Sequence, residues 1–251
     1  MTDPRARGLT LAFVFLLGAV TAAQAQRGRG GAQSAQDAAP IDLTGYWVSV
    51  ITEDWKFRMV TPRKGVYETL PLNAEGRKIG DTWDPARDET AGEQCRAYGT
   101  GNIMRMPGRL HVTWADASTL QIDTDAGSQT RLLRFDPAAP PPPAPTWQGQ
   151  STAVWQFGPG GRGVQNRGGN LKVVTTNLRA GYVRKNGAPY SDKTVVTEYF
   201  DVNELPNGDR WLTVTTRVED PVYFTRPYLT SSDFKKLPGA AGWNPTPCSA
   251  R

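Results

Sequence analysis

Histidine and cysteine are scarce in this chain: 251 residues include one His, His111, and two Cys, Cys95 and Cys248. That scarcity excludes most metal and nucleophile chemistry. A catalytic zinc takes about three protein ligands, commonly with imidazole among them, which one His and scattered carboxylates do not supply. A Ser-His-Asp triad has only His111 to draw on, and no Gly-x-Ser-x-Gly elbow is present. Asp81, Asp84, Asp88 and Glu89 cluster without EF-hand spacing and read as a solvated helical surface. Gly158-Pro159-Gly160-Gly161-Arg162-Gly163 lacks a preceding buried strand and a following helix, so it reads as a hairpin tip and not a phosphate loop. No metal and no cofactor are expected.

Long apolar runs are equally rare. One, residues 9–20, follows Arg5 and Arg7 and precedes Ala23-Gln24-Ala25, the small-residue pattern of a signal-peptidase site. Residues 1–25 are therefore expected to be a signal peptide and the protein to be periplasmic or secreted. The run is shorter than the roughly 20 residues that span a bilayer, and no integral membrane segment is expected after signal removal. Arg5 and Arg7 are not adjacent, which argues against twin-arginine export of a folded, cofactor-loaded chain. Residues 26–40, rich in Gly, Ala and Gln, read as a flexible linker. Residues 41–251 suffice for one domain. Without Asp3, Arg5 and Arg7 the chain keeps 27 basic against 23 acidic residues, too small and scattered an excess to suggest nucleic acid. Two cysteines in an oxidising compartment predict one structural disulfide, Cys95–Cys248.

Helical periodicity is sparse, and strand signals dominate. Alternating, β-branched or aromatic stretches occur at residues 45–53, 110–116, 119–124, 129–135, 151–157, 171–178, 194–201 and 211–218, with a short edge segment at 222–225. Ala117-Ser118, Asp125-Ala126-Gly127 and Pro206-Asn207-Gly208-Asp209 are turn signals between them. Two short helices are expected, one capped by Asn73 and running towards Trp83, one over residues 85–92. The proline run 137–145 predicts an extended connection. The result is an all-β chain forming a single closed antiparallel barrel, since closure removes exposed edges.

Thr44-Gly45-Tyr46-Trp47 carries the Gly-x-Trp that opens lipocalin barrels. In those barrels the Trp closes the bottom beneath an Arg of the last strand, a role the resemblance gives to Arg217. A broader set of segments spans most of the mature chain: Pro145-Thr146-Trp147-Gln148-Gly149, Tyr190-Ser191-Asp192 leading to Glu198-Tyr199-Phe200, Glu219-Asp220-Pro221, Tyr223-Phe224-Thr225-Arg226-Pro227 and Pro247-Cys248. Together they resemble a family of exported bacterial proteins of unknown function whose members are expected to form lipocalin-like (calycin-type) barrels. Many members of that family place a His where this chain has Gln150 and Val195.

Strand alternation sorts the candidate site residues. His111 shares the more polar face of its strand with Arg109 and Thr113, whereas Glu198 lies in register with Val196 and Phe200 on a buried face. A carboxylate held among apolar groups has its pKa raised unless an Arg pairs with it, and Arg131, Arg134 and Arg217 all sit on strands. Trp47, Trp55, Trp155 and Tyr199 offer aromatic surface, with Arg58, Arg131 and Arg217 to orient a ligand. Residues 53–58 alternate aromatics with charges and read as a lip at the opening. The expected function is binding of a small, mainly apolar or aromatic molecule. The alternative is a cofactor-independent isomerase, lyase or hydratase using Glu198 and His111 as an acid/base pair. A third class is a barrel filled by its own side chains that acts through its surface. Whether Glu198 and His111 face one cavity discriminates the first two.

Overall fold

A computed structural model describes residues 33–136, 140, 144–159 and 168–251. The expected signal peptide, most of the proline run and the centre of the glycine-rich tip lie outside the described residues. Strands occupy Gly45–Val50 (β1), Arg109–Asp116 (β2), Thr119–Thr124 (β3), Ala126–Gly127 (β4), Gln129–Arg134 (β5), Gln150–Phe157 (β6), Gly169–Thr176 (β7), Gly181–Arg184 (β8), Ala188–Tyr190 (β9), Val195–Glu204 (β10), Arg210–Glu219 (β11), Tyr228–Leu237 (β12) and Thr246–Pro247 (β13). Residues 222–225 are a turn with a single bridge, Phe224 to Leu72, and not an edge strand.

Nine of these strands close into a barrel in the order β1-β12-β11-β10-β7-β6-β5-β3-β2. Directions cannot alternate all the way round an odd ring, so one neighbouring pair must be parallel. That pair is β5 and β6, matched only at Leu133–Ser151 and Arg134–Thr152, and here the fully antiparallel barrel expected from the sequence is corrected. Parallel neighbours cannot be joined by a tight hairpin, which is why the long connection containing the prolines falls between them.

Alternation assigns the lumen, and its contents are layered. Trp47, Leu120, Leu133, Leu171, Phe200 and Phe234, each at most 1% exposed, fill the lower half. Nearer the upper end come Arg131, Ser151, Thr175, Glu198, Thr216 and Ser232 from β5, β6, β7, β10, β11 and β12, a buried polar layer. Above it Val196, Val218 and Tyr228 merge with a second apolar cluster built from Tyr67, Leu72, Val183 and Tyr190.

That second cluster belongs to a cap over the upper end, made from residues 51–108, 177–194 and 220–227. It contains three short α-helices, Trp55–Arg58 (α1), Ala74–Asp81 (α2) and Pro85–Thr90 (α3), and two 3-10 turns, Arg96–Tyr98 and Ile103–Arg105. Asn73 caps α2 by accepting from the Gly76 amide at 2.8 Å, and Asp84 caps α3 by accepting from Ala86 at 3.0 Å, with Pro85 at the first helical position. After β12 the chain passes Trp243 against Tyr46 and His111 on the outer wall. It then pairs β13 with β4 and ends on the Cys95–Cys248 disulfide.

The lower end is covered by residues 33–43. Trp155 Nε1 donates to the Ala35 carbonyl at 2.7 Å, the Gln36 amide donates to Ala117, and Ala38, Ala39 and Ile41 pack on the core. The described part of the stretch read as a linker is therefore docked on the barrel, and the compact unit runs over Gln33–Arg251. Gly45 enters β1 at φ +97, a left-handed value that glycine adopts without strain. Trp47 follows, its Nε1 donating to the Leu43 carbonyl at 2.8 Å. The cation over its ring is Lys236 of the last barrel strand, 4.5 Å from the centroid, and it also donates to the Thr44 carbonyl. Arg217 cannot take that role: it alternates outward between Thr216 and Val218, near the opposite end, and pairs with Glu219.

The disulfide closes a loop of 153 residues between the cap and the C-terminal tail. Cys248→Ser is expected to cost about 3–5 kcal/mol on the chain-entropy model, read as the shift in urea midpoint, with added reductant reproducing the loss in the unaltered protein but not in the variant.

Candidate binding cavity in the cap

Glu198 projects from β10 into the lumen, where Arg131 reaches it from β5 on the other side of the polar layer. Arg131 Nη1 donates to Oε1 at 3.0 Å and Nη2 donates to Oε2, and neither side chain has any exposure. Of the three strand arginines able to pair with Glu198, Arg131 does so. His111 lies on the outside of the same wall, stacked on Tyr46 with ring centroids 4.1 Å apart. Glu198 and His111 thus face opposite sides of the sheet and share no cavity.

The aromatic candidates are dispersed as well. Trp47 is buried at the lumen floor, and Trp155 stacks loosely with Trp114 and Phe135 at the lower end. A hollow of about 290 Å³ lies there between Trp114, Trp155 and the segment 36–43. Tyr199 points outward opposite Thr215 and Lys172, Arg217 is also outside, and Trp55 is 68% exposed. Arg58 alone among the sequence candidates lines a second hollow, of about 310 Å³, in the cap.

This cavity is built by irregular chain. Asp54 takes a left-handed turn at φ 47, α1 follows, and the turn delivers Arg58 inward while Trp55 stays in solvent. Phe57, Met59, Met106 and Pro107 supply apolar wall. Four cations, Arg58, Arg105, Arg184 and Lys185, line the rest. Arg105 is neutralised by Glu53 at 3.4 Å and Asp54 at 2.8 Å. Arg184 lies 4.4 Å over the Phe57 ring and donates to Thr69 Oγ1 at 2.9 Å, a neutral partner. Arg58 Nε donates to the Arg105 carbonyl at 3.0 Å, but its Nη1 and Nη2, both buried, have no hydrogen-bond partner among the described residues.

Electrostatics follow from that arrangement. Burial, reinforced by the neighbouring Arg105, pushes the Arg58 guanidinium below the ordinary arginine pKa. Arg184 is lowered too, chiefly by burial. Among the described residues neither is hydrogen-bonded to a carboxylate, although Glu53, Asp54 and Asp233 act on Arg58 and Asp54 acts on Arg184 through space. Among the described residues no three His, Cys, Asp or Glu side chains converge as a metal site. The sequence did not announce Arg105, Arg184 or Lys185, because none lies in a periodic segment of the kind that marks a face; only the aromatic and charged run at 53–58 signalled Arg58.

Comparison with protein-family models, curated proteins and solved structures returns no match to this chain.

Two of the segments singled out in the sequence, Glu219-Asp220-Pro221 and Tyr190-Ser191-Asp192, meet in the cap. Asp220 accepts from the Ser191 amide, from Thr194 Oγ1 at 2.6 Å, and from the Val222 and Tyr223 amides at 2.7 and 2.8 Å. Glu219-Asp220-Pro221 is thereby fastened to Tyr190-Ser191-Asp192, and Trp147 of the middle segment is stacked 4.0 Å beneath Arg179. Burial raises the Asp220 pKa, but donation from Thr194, Ser191 and Tyr223 outweighs it and holds the carboxyl below the ordinary aspartate value. A carboxyl whose pKa is depressed by folding stabilises the native state above its unfolded pKa of about 3.9 and loses that contribution as pH falls through the folded value. Asp220→Asn is therefore expected to lower Tm at pH 7 and to flatten the fall of Tm below pH 4; an acid limb identical to that of the unaltered protein would contradict this role.

Proposed function

We propose that this is an exported, lipocalin-like barrel protein that binds a small molecule with a mainly apolar or aromatic body, and that the ligand occupies the cap cavity instead of the lumen. The observation that carries the reading is the hollow of about 310 Å³ beside Arg58, with Phe57, Met59, Met106 and Pro107 on its walls. Its size falls at the lower end of the roughly 300–1,000 Å³ typical of ligand pockets, and a few polar groups set in apolar wall are what orients a ligand. Lumen positions, by contrast, are taken by buried side chains through all three layers.

Export is supported by the sequence of residues 1–25 and by the disulfide, which persists in oxidising compartments. The lipocalin-like assignment draws support from Gly45, Trp47 and Lys236, which reproduce the expected floor with a lysine as the covering cation. The alternative of acid/base catalysis by Glu198 and His111 is not favoured, because the barrel wall stands between them.

Soaking crystals of the mature chain with a library of small aromatic fragments, neutral and charged, tests the location. Density for fragments against Phe57 and Met106 is the expected result. Fragments confined to the Trp114–Trp155 hollow, or absent from both, would overturn the assignment.

A further inference from the structure

A buried charge is ordinarily paired, because moving an ion out of water costs several kcal/mol that a counter-charge or hydrogen bonds must offset. Arg58 breaks that rule. It is 8% exposed, and two of its three guanidinium nitrogens have no hydrogen-bond partner among the described residues. Three acids act on Arg58, and none is hydrogen-bonded to it: Glu53 and Asp54 bind Arg105, Glu53 also accepts from the Ser231 amide at 2.9 Å, and Asp233 accepts from the Thr52 and Thr213 hydroxyls. Arg184, on the same cavity, spends its hydrogen bonds on neutral oxygens, and Lys185 spends its own on the Tyr98 hydroxyl and a main-chain oxygen of Arg251. Four cations thus line a cavity near which three carboxylates lie, and none of those three is hydrogen-bonded to Arg58.

We infer that the cap cavity is a carboxylate-recognition site: Arg58, which lines it and whose Nη1 and Nη2 have no partner among the described residues, receives the acid group of a small aromatic or otherwise apolar carboxylic acid, while Phe57, Met59 and Met106 hold its body. The inference rests on the cavity being the ligand site. A guanidinium edge presents two donors in a plane, which matches the two oxygens of a carboxylate, and Arg184 adds charge without competing for the same oxygens. The apolar wall selects against small inorganic ions, which would gain the charge but none of the burial.

Calorimetry of the full mature chain with benzoate, benzamide, acetate and inorganic phosphate tests this. Benzoate is expected to bind at least about tenfold more tightly than each of the other three, a charge-assisted bidentate pair being worth more than about 1.4 kcal/mol. Arg58→Met should abolish that preference and leave the ligand-free Tm unchanged or raised, since an apolar side chain replaces an unpaired buried charge. Arg58→Lys should keep a reduced preference, because the charge remains and the fork is lost. Equal binding of benzoate and benzamide, or phosphate binding as tightly as benzoate, would overturn the inference. If neutral fragments still enter the cavity in that case, the proposed ligand site stands and only its chemistry is wrong. A lower Tm for Arg58→Met with the benzoate preference intact would make Arg58 a structural residue and overturn the inference as well.

Discussion

Arg131 and Glu198 meet in the middle of the barrel, where neither is reached by solvent, and much else in the molecule is arranged around that contact. The two residues come from β5 and β10, strands that are not neighbours in the ring, so the pair spans the lumen and does not merely reinforce a ladder. It lies close to the weakest part of the wall, the two-residue parallel seam between β5 and β6. Ser151 and Thr175, hydrogen-bonded to each other at 2.8 Å, continue the polar layer around it. Such a layer is costly to assemble partially, because each desolvated group needs its partner, and this favours one register and one depth for the strands that carry it.

A lumen committed in this way moves free space elsewhere. Residues 51–108, inserted between two adjacent barrel strands, build the cap and its cavity, and the Cys95–Cys248 bridge and the Asp220 turn hold that cap to the tail and to the neighbouring loops. The molecule holds two kinds of buried arginine. Arg131 is saturated on two nitrogens by a carboxylate of the same chain, whereas Arg58 keeps the equivalent pair of nitrogens unpartnered beside a hollow. One is part of the scaffold, and the other lines the hollow proposed as the ligand site.

Most barrel strands were legible from alternation, because a half-buried strand repeats every two residues and turns punctuate it; residues 119–124 agree end to end. Strand β12 was not, since Ser231-Ser232-Asp233 and Lys235-Lys236 place polar groups on both faces and hide the period that Thr230, Ser232 and Phe234 follow into the lumen. Its absence from the expected set is also why Lys236 went unnoticed as the cation over Trp47. The inward direction of Glu198 and the outward direction of His111 were both readable from parity, and so was Arg131 as one of three possible partners. The parallel seam was not, because it depends on the number of strands in the closed ring. Neither was the cationic cavity, whose walls come from residues 57–61, 98–107, 126, 184–185 and 246 with no shared pattern.

A double-mutant cycle of unfolding free energies on Arg131→Met, Glu198→Leu and the combined variant tests the central contact most directly. The expected result is a loss of about 3–5 kcal/mol for each single substitution, since each strands a buried charge, and a combined loss well below the sum of the two. Small, additive losses would show that the two side chains act independently and that the barrel interior does not depend on their meeting.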